Sequence, residues 1–242
     1  MTGTDTVRHA DSRLLAAAAA ARLITTVVDA QLAHGAASVV LTGGGTGIEM
    51  LRQVRASPAR DAVDWAAVDF YWGDERFVPA GDPERNETQA REALLDHLPL
   101  DPRRVHPMAP SDGAFGSDAD AAARAYAELL PPRFDVCLLG VGEEGHVASM
   151  FPGSPAVRES RLAVVAVYDS PKPPPTRISL TLPAIRRAAQ VWLMTAGSGK
   201  ADAVATALGG TSEVDLPAYG ARGQQRTLWL VDHAAAGGIV SP

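Results

Sequence analysis

Short apolar runs rich in β-branched residues recur along the chain: ASVVLTG at 37–43, AVDFYWG at 67–73, FDVCLLGVG at 134–142, RLAVVAVYD at 161–169, QVWLMTAG at 190–197 and RTLWLVD at 226–232. Each is too short for a core helix and most stop at Gly or Asp, so each predicts a buried strand. Helix-favouring segments fill the intervals at 12–33, 47–56, 87–98, 118–130 and 199–208. Apolar strands alternating with helices predict an α/β fold, with a mostly parallel central sheet covered by helices and ligands held outside the carboxyl ends of the strands. Pro171, Pro173, Pro174 and Pro175 stiffen a connector ahead of RISLTLP. The same pattern continues on both sides, so the connector is read as a loop and not a domain boundary. Residues 1–10 are read as an N-terminal tail and 11–242 as a single domain, a length ample for one core.

Composition narrows the function. With 46% hydrophobic and 21% charged residues the chain is unlike a disordered protein, and its net charge of −6 opposes general attraction to nucleic acid or an anionic membrane. An anionic ligand therefore needs a local basic pocket. Cys137 is the only cysteine, which leaves no intramolecular disulfide, and its place in FDVCLLG makes it a buried structural thiol and not a nucleophile. The apolar stretch 14–21 follows Arg8 and Arg13 as a signal peptide would. It is short, however, Asp5 and Asp11 precede it, and helix-compatible sequence runs on, so it is read as an internal helix. No stretch approaches the roughly 20 apolar residues of a membrane span, and a cytoplasmic location is expected.

Four motifs sit where strands end. Thr42-Gly43-Gly44-Gly45-Thr46-Gly47 joins a strand to a helix, where small residues let backbone N–H groups approach an anion; a tight turn alone would use the same residues. Gly73-Asp74-Glu75-Arg76-Phe77-Val78-Pro79, with Asp82 and Asn86 downstream, is either a solvated salt-bridge cluster or a charged wall of the ligand crevice that brings Arg76 to substrate. Gly140-Val141-Gly142-Glu143-Glu144-Gly145-His146 has the spacing of a dinucleotide loop, but two glutamates repel a pyrophosphate and Pro152 and Pro155 interrupt the helix it needs. What remains is His146 beside carboxylates, as a base for ester hydrolysis or as a turn-capping residue. Gly197-Ser198-Gly199-Lys200 fails as a nucleotide loop because Met194 and Ala201 replace the required residues. Lys200 stays as a phosphate partner or a surface lysine; the only other lysine is Lys172. No G-x-S-x-G, H-E-x-x-H or paired C-x-x-C occurs, so a serine hydrolase or a zinc enzyme has no support and no metal is expected.

Taken together, LTGGGTG, FYWGDERFVP with Asn86, LLGVGEEGHVASMFPGSP, PPPTRISLTLP and GSGK resemble the 6-phosphogluconolactonase family in order and spacing over nearly the whole chain. The GHVASMFPG string separates that family from the related glucosamine-6-phosphate deaminases. The resemblance implies one domain of the deaminase and ribose-phosphate isomerase type that hydrolyses 6-phosphogluconolactone without cofactor in the oxidative pentose phosphate pathway. It implies His146 as the water-activating base, assisted by Glu144, with Arg76 near the lactone. Gly43, Gly44, Gly45, Thr46, Asp74, Asn86, Arg177 and Lys200 then bind substrate and its phosphate. The implied partner is the sugar-phosphate lactone; association with the dehydrogenase of the preceding step stays open. Gly45 stands where the family usually has Ser, Glu144 where it commonly has Asp, and Arg85 where it often has Ser, so that Arg85 either adds a substrate contact or is solvated. A deaminase-like isomerase and a catalytically silent sugar-phosphate sensor are the alternatives.

Overall fold

The computed structural model describes residues 3–239. In chain order the strands are β1 (Gly3–His9), β2 (Ala37–Leu41), β3 (Val68–Trp72), β4 (Asp74–Arg76), β5 (Phe134–Gly140), β6 (Val164–Val167), β7 (Arg177–Leu180), β8 (Ala188–Thr195) and β9 (Arg226–Asp232). The helices are α1 (Ser12–His34), α2 (Gly44–Ala56), α3 (Asn86–Ala93), α4 (Ala119–Leu129), α5 (Pro155–Arg158), α6 (Leu182–Ile185), α7 (Ala201–Gly209) and α8 (Pro217–Gly220). Six strands form a parallel sheet in the order β1-β9-β8-β5-β2-β3, and β4-β7-β6 form a small antiparallel sheet. The fold class is α/β with a mostly parallel central sheet, and the inner strands β2, β5 and β8 are buried almost throughout. Cys137 pairs in register with Val40 and Val191 and has no exposure; burial holds its thiol far above the ordinary range, so it is not a thiolate.

Topology fixes where a ligand goes. From β2 the chain moves outward to β3, and from β5 it moves the other way to β8 and β9, so the carboxyl ends of β2 and β5 flank the point where the order reverses. That is where the loops carrying Gly43 and Gly142 emerge, and a hydrogen bond from Gly140 N–H to Thr42 Oγ1 at 3.2 Å joins them. Asp11 caps α1 by accepting from Leu14 N–H at 2.7 Å, and Gly35 ends it in the left-handed region at φ 84°.

Several expectations change. Residues Gly3–His9, read as part of a tail, form the edge strand β1, paired with β9 from Gly3↔Arg226 to His9↔Asp232. An edge strand needs only its backbone to pair, so GTDTVRH stays polar and escapes an apolar-pattern search. The run RLAVVAVYD supplies β6 to the small antiparallel sheet and not to the parallel one, and the charged GDER segment, read as a solvated cluster or a wall of the ligand crevice, contributes β4 to that same sheet. Helix α1 does pass the length and hydropathy test for crossing a membrane, with mean hydropathy 1.3 over its most apolar window. Small alanines raise that figure; Leu15, Ala19, Leu23, Ile24 and Val27 are buried, so one face serves the core.

Arg85 differs most from expectation. It is neither solvated nor at the ligand cavity but fully buried, donating to the Met108 carbonyl at 2.6 Å, the Val78 carbonyl at 3.4 Å and Glu87 at 3.1 Å, with Glu75 Oε2 3.7 Å away. Glu75, also buried, accepts from the backbone N–H groups of Arg76 at 2.8 Å, Asn86 at 2.7 Å and Glu87 at 2.9 Å. Residue 85 offers no side-chain cap to α3, and the Glu75 carboxylate supplies one from a different strand. Burial pushes Glu75 up to about 7, against Arg85 and the three N–H groups, which favour the carboxylate.

Replacing Arg85 by Met removes the counter-charge of Glu75 and the donor to two carbonyls, and is expected to cost about 3–5 kcal/mol in urea unfolding. Adding Glu75→Gln should recover part of that loss, because the buried charge goes with its partner. Cys137→Ala should cost only about 1 kcal/mol and leave the fold intact by circular dichroism.

Candidate active site

At the carboxyl ends of the parallel strands lies a cavity of about 720 Å³. Of the residues singled out from sequence, Gly43, Gly44, Gly45, Thr46, Asp74, Arg76, Asn86, His146, Arg177 and Lys200 line it, whereas Glu144 stands behind His146. The wall also contains Glu143, Ala148, Lys172 and Met194. Lys172 went unassigned in the sequence because the proline loop that carries it is remote from the glycine loops; the one available signal was the scarcity of lysine.

The small sheet aims the charged side chains. Arg76 pairs in register with Arg177, and Asp74 with Ser179. Side chains alternate along a strand, so Asp74 and Arg76 share one face and Glu75 takes the other. Asn86 then fixes Arg76: its Oδ1 accepts from Arg76 Nη1 at 2.6 Å, while its Nδ2 donates to the Asp74 carbonyl at 2.8 Å. The same Arg76 nitrogen donates to the Glu84 carbonyl at 2.7 Å. Gly43 is required here, since a Cβ at this position would overlap the Asn86 amide. Asn86 is thus a brace between the glycine loop and Arg76, and its amide is committed to protein groups.

Arg177 is likewise committed. It is buried, donates from Nε to the Pro174 carbonyl at 3.2 Å and from Nη2 to the Lys172 and Pro173 carbonyls at 2.9 and 3.2 Å, and lies 3.8 Å from Asp74 Oδ2. Ser149 donates to Asp74 Oδ2 at 2.7 Å. Arg177 therefore ties down the proline loop while its charge is partly balanced by Asp74.

His146 sits on the turn after β5, closed by hydrogen bonds from Gly142 N–H to the His146 carbonyl at 2.9 Å and from Gly145 N–H to the Gly142 carbonyl at 3.0 Å. A Cβ on Gly142 would overlap the imidazole, so glycine makes room for the ring. The ring packs on Phe151 with centroids 4.6 Å apart. Its Nδ1 lies 3.1 Å from Glu144 Oε1 but off the line of the ring N–H, so the two groups are close without forming an aligned hydrogen bond. The other oxygen of Glu144 accepts from Lys172 Nζ at 3.1 Å. Burial is the main influence lowering the pKa of His146, helped by Lys172 and opposed by Glu144 and Asp74. Burial tends to raise Glu144, yet its own backbone N–H, His146 and Lys172 together hold it below the ordinary carboxylate value. Lys200 is lowered by burial and then by the charge of Lys172, so the two ammonium groups share one region of the cavity.

The first turn of α2 presents Gly44, Gly45 and Thr46 to the cavity with no side-chain cap on the helix, leaving its N–H groups for an anion. The arrangement combines an anion-binding side with a histidine backed by a carboxylate. Among the described residues no group of His, Cys, Asp and Glu has the makings of a metal site.

The chain is similar to known proteins over nearly its whole length. The sequence family described as glucosamine-6-phosphate isomerases/6-phosphogluconolactonase matches residues 10–229. The 6-phosphogluconolactonase of Streptomyces coelicolor is 61% identical over 95% of this chain and 92% of its own length. The structure of 6-phosphogluconolactonase from Trypanosoma brucei superposes with a TM-score of 0.87 at 29% identity, covering 99% of this chain and all of that one. A monomeric glucosamine-6-phosphate deaminase shares the fold with a TM-score of 0.82 at 21% identity, over 97% of this chain and 99% of that one. With its glycine loops, His146 and a matching span that takes in all but the chain's two ends, this protein belongs to the glucosamine-6-phosphate isomerase/6-phosphogluconolactonase family.

Proposed function

We propose that the chain hydrolyses 6-phospho-D-glucono-1,5-lactone to 6-phosphogluconate, a step of the oxidative pentose phosphate pathway, with water activated by His146. The observation that carries this reading is an imidazole backed by Glu144 at 3.1 Å and set in a cavity that also holds Arg76, Lys172 and Lys200. The name borne by the Streptomyces coelicolor relative supports the choice of substrate.

With Nδ1 turned to Glu144, Nε2 is the ring nitrogen left to accept a proton. It takes one from water as the oxygen attacks the lactone carbonyl, and Arg76, fixed by Asn86 and the Glu84 carbonyl, faces the oxyanion of the tetrahedral intermediate. Collapse breaks the bond from C1 to the ring oxygen, and the imidazolium returns its proton to that leaving oxygen. Lys200 and the N–H groups of α2 hold the phosphate. Arg177 acts on the phosphate side chiefly by anchoring the proline loop. The deaminase reading has the shared fold and the joint family behind it, whereas the Streptomyces coelicolor relative bears the lactonase name. Lactone loss above the spontaneous rate, with no ammonia from glucosamine 6-phosphate, is the expected result; the reverse would favour the deaminase.

His146→Ala should lower kcat by about 10²- to 10⁴-fold with substrate binding largely kept. The general base must be neutral, and burial lowers its pKa, so the neutral form persists further into acid. The acid limb of kcat/KM should therefore fall below the ordinary histidine value of 6.5 and vanish in His146→Ala. Lys200→Ala should raise KM for the phosphorylated lactone by about tenfold or more and change hydrolysis of unphosphorylated gluconolactone little, as steady-state kinetics on the two substrates would reveal.

A further inference from the structure

Glu144 lies between two partners, an ammonium and an imidazole. Its Oε2 accepts from Lys172 Nζ at 3.1 Å while Oε1 lies at the same distance from His146 Nδ1, misaligned with the ring N–H. A carboxylate held on one side by an ammonium is not free to turn its other oxygen into line. Lys172 is the most exposed member of this set: its side chain is 46% exposed, whereas its backbone is held by Arg177 at the residue's own carbonyl and by Ser170 Oγ at its N–H. Its charge is felt by Lys200 across the cavity, and among the described residues Lys200 has no ion-pair partner. Two ammonium groups lining one cavity, one unpaired and one borrowed by Glu144, suit a dianion better than they suit each other.

We propose that Lys172 is a phosphate-binding residue whose capture by the substrate's phosphate releases Glu144, allowing that carboxylate to align with His146 Nδ1 and orient the base. This rests on the lactonase reading and adds to it a coupling between the phosphate and the reacting end of the substrate. The groups facing the imidazole are Glu144 from its own turn, Lys172 from the proline loop and Asp74 from β4, with Phe151 against the ring. Only Lys172 among them both opposes protonation of His146 and has a side chain free to leave. When it leaves, Glu144 acts on the ring unshared and His146 becomes the stronger base.

The test is Lys172→Met, read on two lactones. KM for 6-phosphogluconolactone should rise by about tenfold, while hydrolysis of unphosphorylated glucono-1,5-lactone should become several-fold faster, because Glu144 no longer has a second partner. Equal losses on both lactones, or no change on either, would overturn the proposal. A second measurement follows the His146 ring by NMR titration with sulfate, a dianion that does not titrate between pH 4 and 9. In the wild type sulfate should raise the histidine pKa by about half a pH unit or more; in Lys172→Met the starting value should already be higher and the added rise smaller. An identical response to sulfate in both proteins would overturn it. If the wild type fails to hydrolyse 6-phosphogluconolactone at all, the lactonase reading falls, and the sulfate titration still decides whether Lys172 and His146 are coupled through Glu144.

Discussion

Beneath the cavity lies a carboxylate whose two oxygens are taken up by N–H groups from two separate elements. Glu75 belongs to β4, yet it caps the first turn of α3 and bonds the backbone of Arg76, so that the strand and the helix move as one piece. Everything on that wall depends on this join. Asn86 opens α3 and braces Arg76, and Gly43 packs directly on the Asn86 amide. A shift of α3 relative to β4 would therefore displace Arg76 and the glycine loop together. The buried guanidinium of Arg85 is the counterweight that makes a desolvated carboxylate tolerable in this position.

The small antiparallel sheet plays a complementary part. A parallel sheet delivers loops to its carboxyl edge but cannot by itself set the spacing of residues on different loops. The pairing of β4 with β7 does so, placing Arg76 opposite Arg177 and tying the proline loop to the wall that carries Asp74. Ionic neighbours of both signs are thus interleaved, which lets Arg76, Lys172, Arg177 and Lys200 share a confined space with Asp74 and Glu143.

Much of this was legible in the sequence, for a physical reason. Loops at the ends of buried strands advertise themselves through glycine, because backbone must approach backbone or a ring there, and Gly43 and Gly142 meet that requirement. Cys137 was legible through its apolar neighbours. The failures share a cause as well. Polarity was read as exposure or as ligand contact, never as a link within the fold, yet β1, β4 and Arg85 are polar and have structural partners distant in sequence: β9, β7 and the Met108 carbonyl. An arginine inside a protein looks like an arginine on its surface until its acceptors are known. Lys172 was silent for the related reason that only the folded chain brings the proline loop against Glu144.

The pairing of β1 with β9 has a consequence for how the molecule is made. Of the described strands, Gly3–His9 is translated first and Arg226–Asp232 last, yet each is the other's neighbour in register, fastened also by Asp5 and Arg226 at 2.8 Å. On the ribosome β1 must wait, unpaired, while more than two hundred residues are synthesised, and the edge of the sheet closes only after β9 has left the exit tunnel. Its polar sequence suits that delay, because a strand with few apolar side chains can remain hydrated without recruiting the wrong partner.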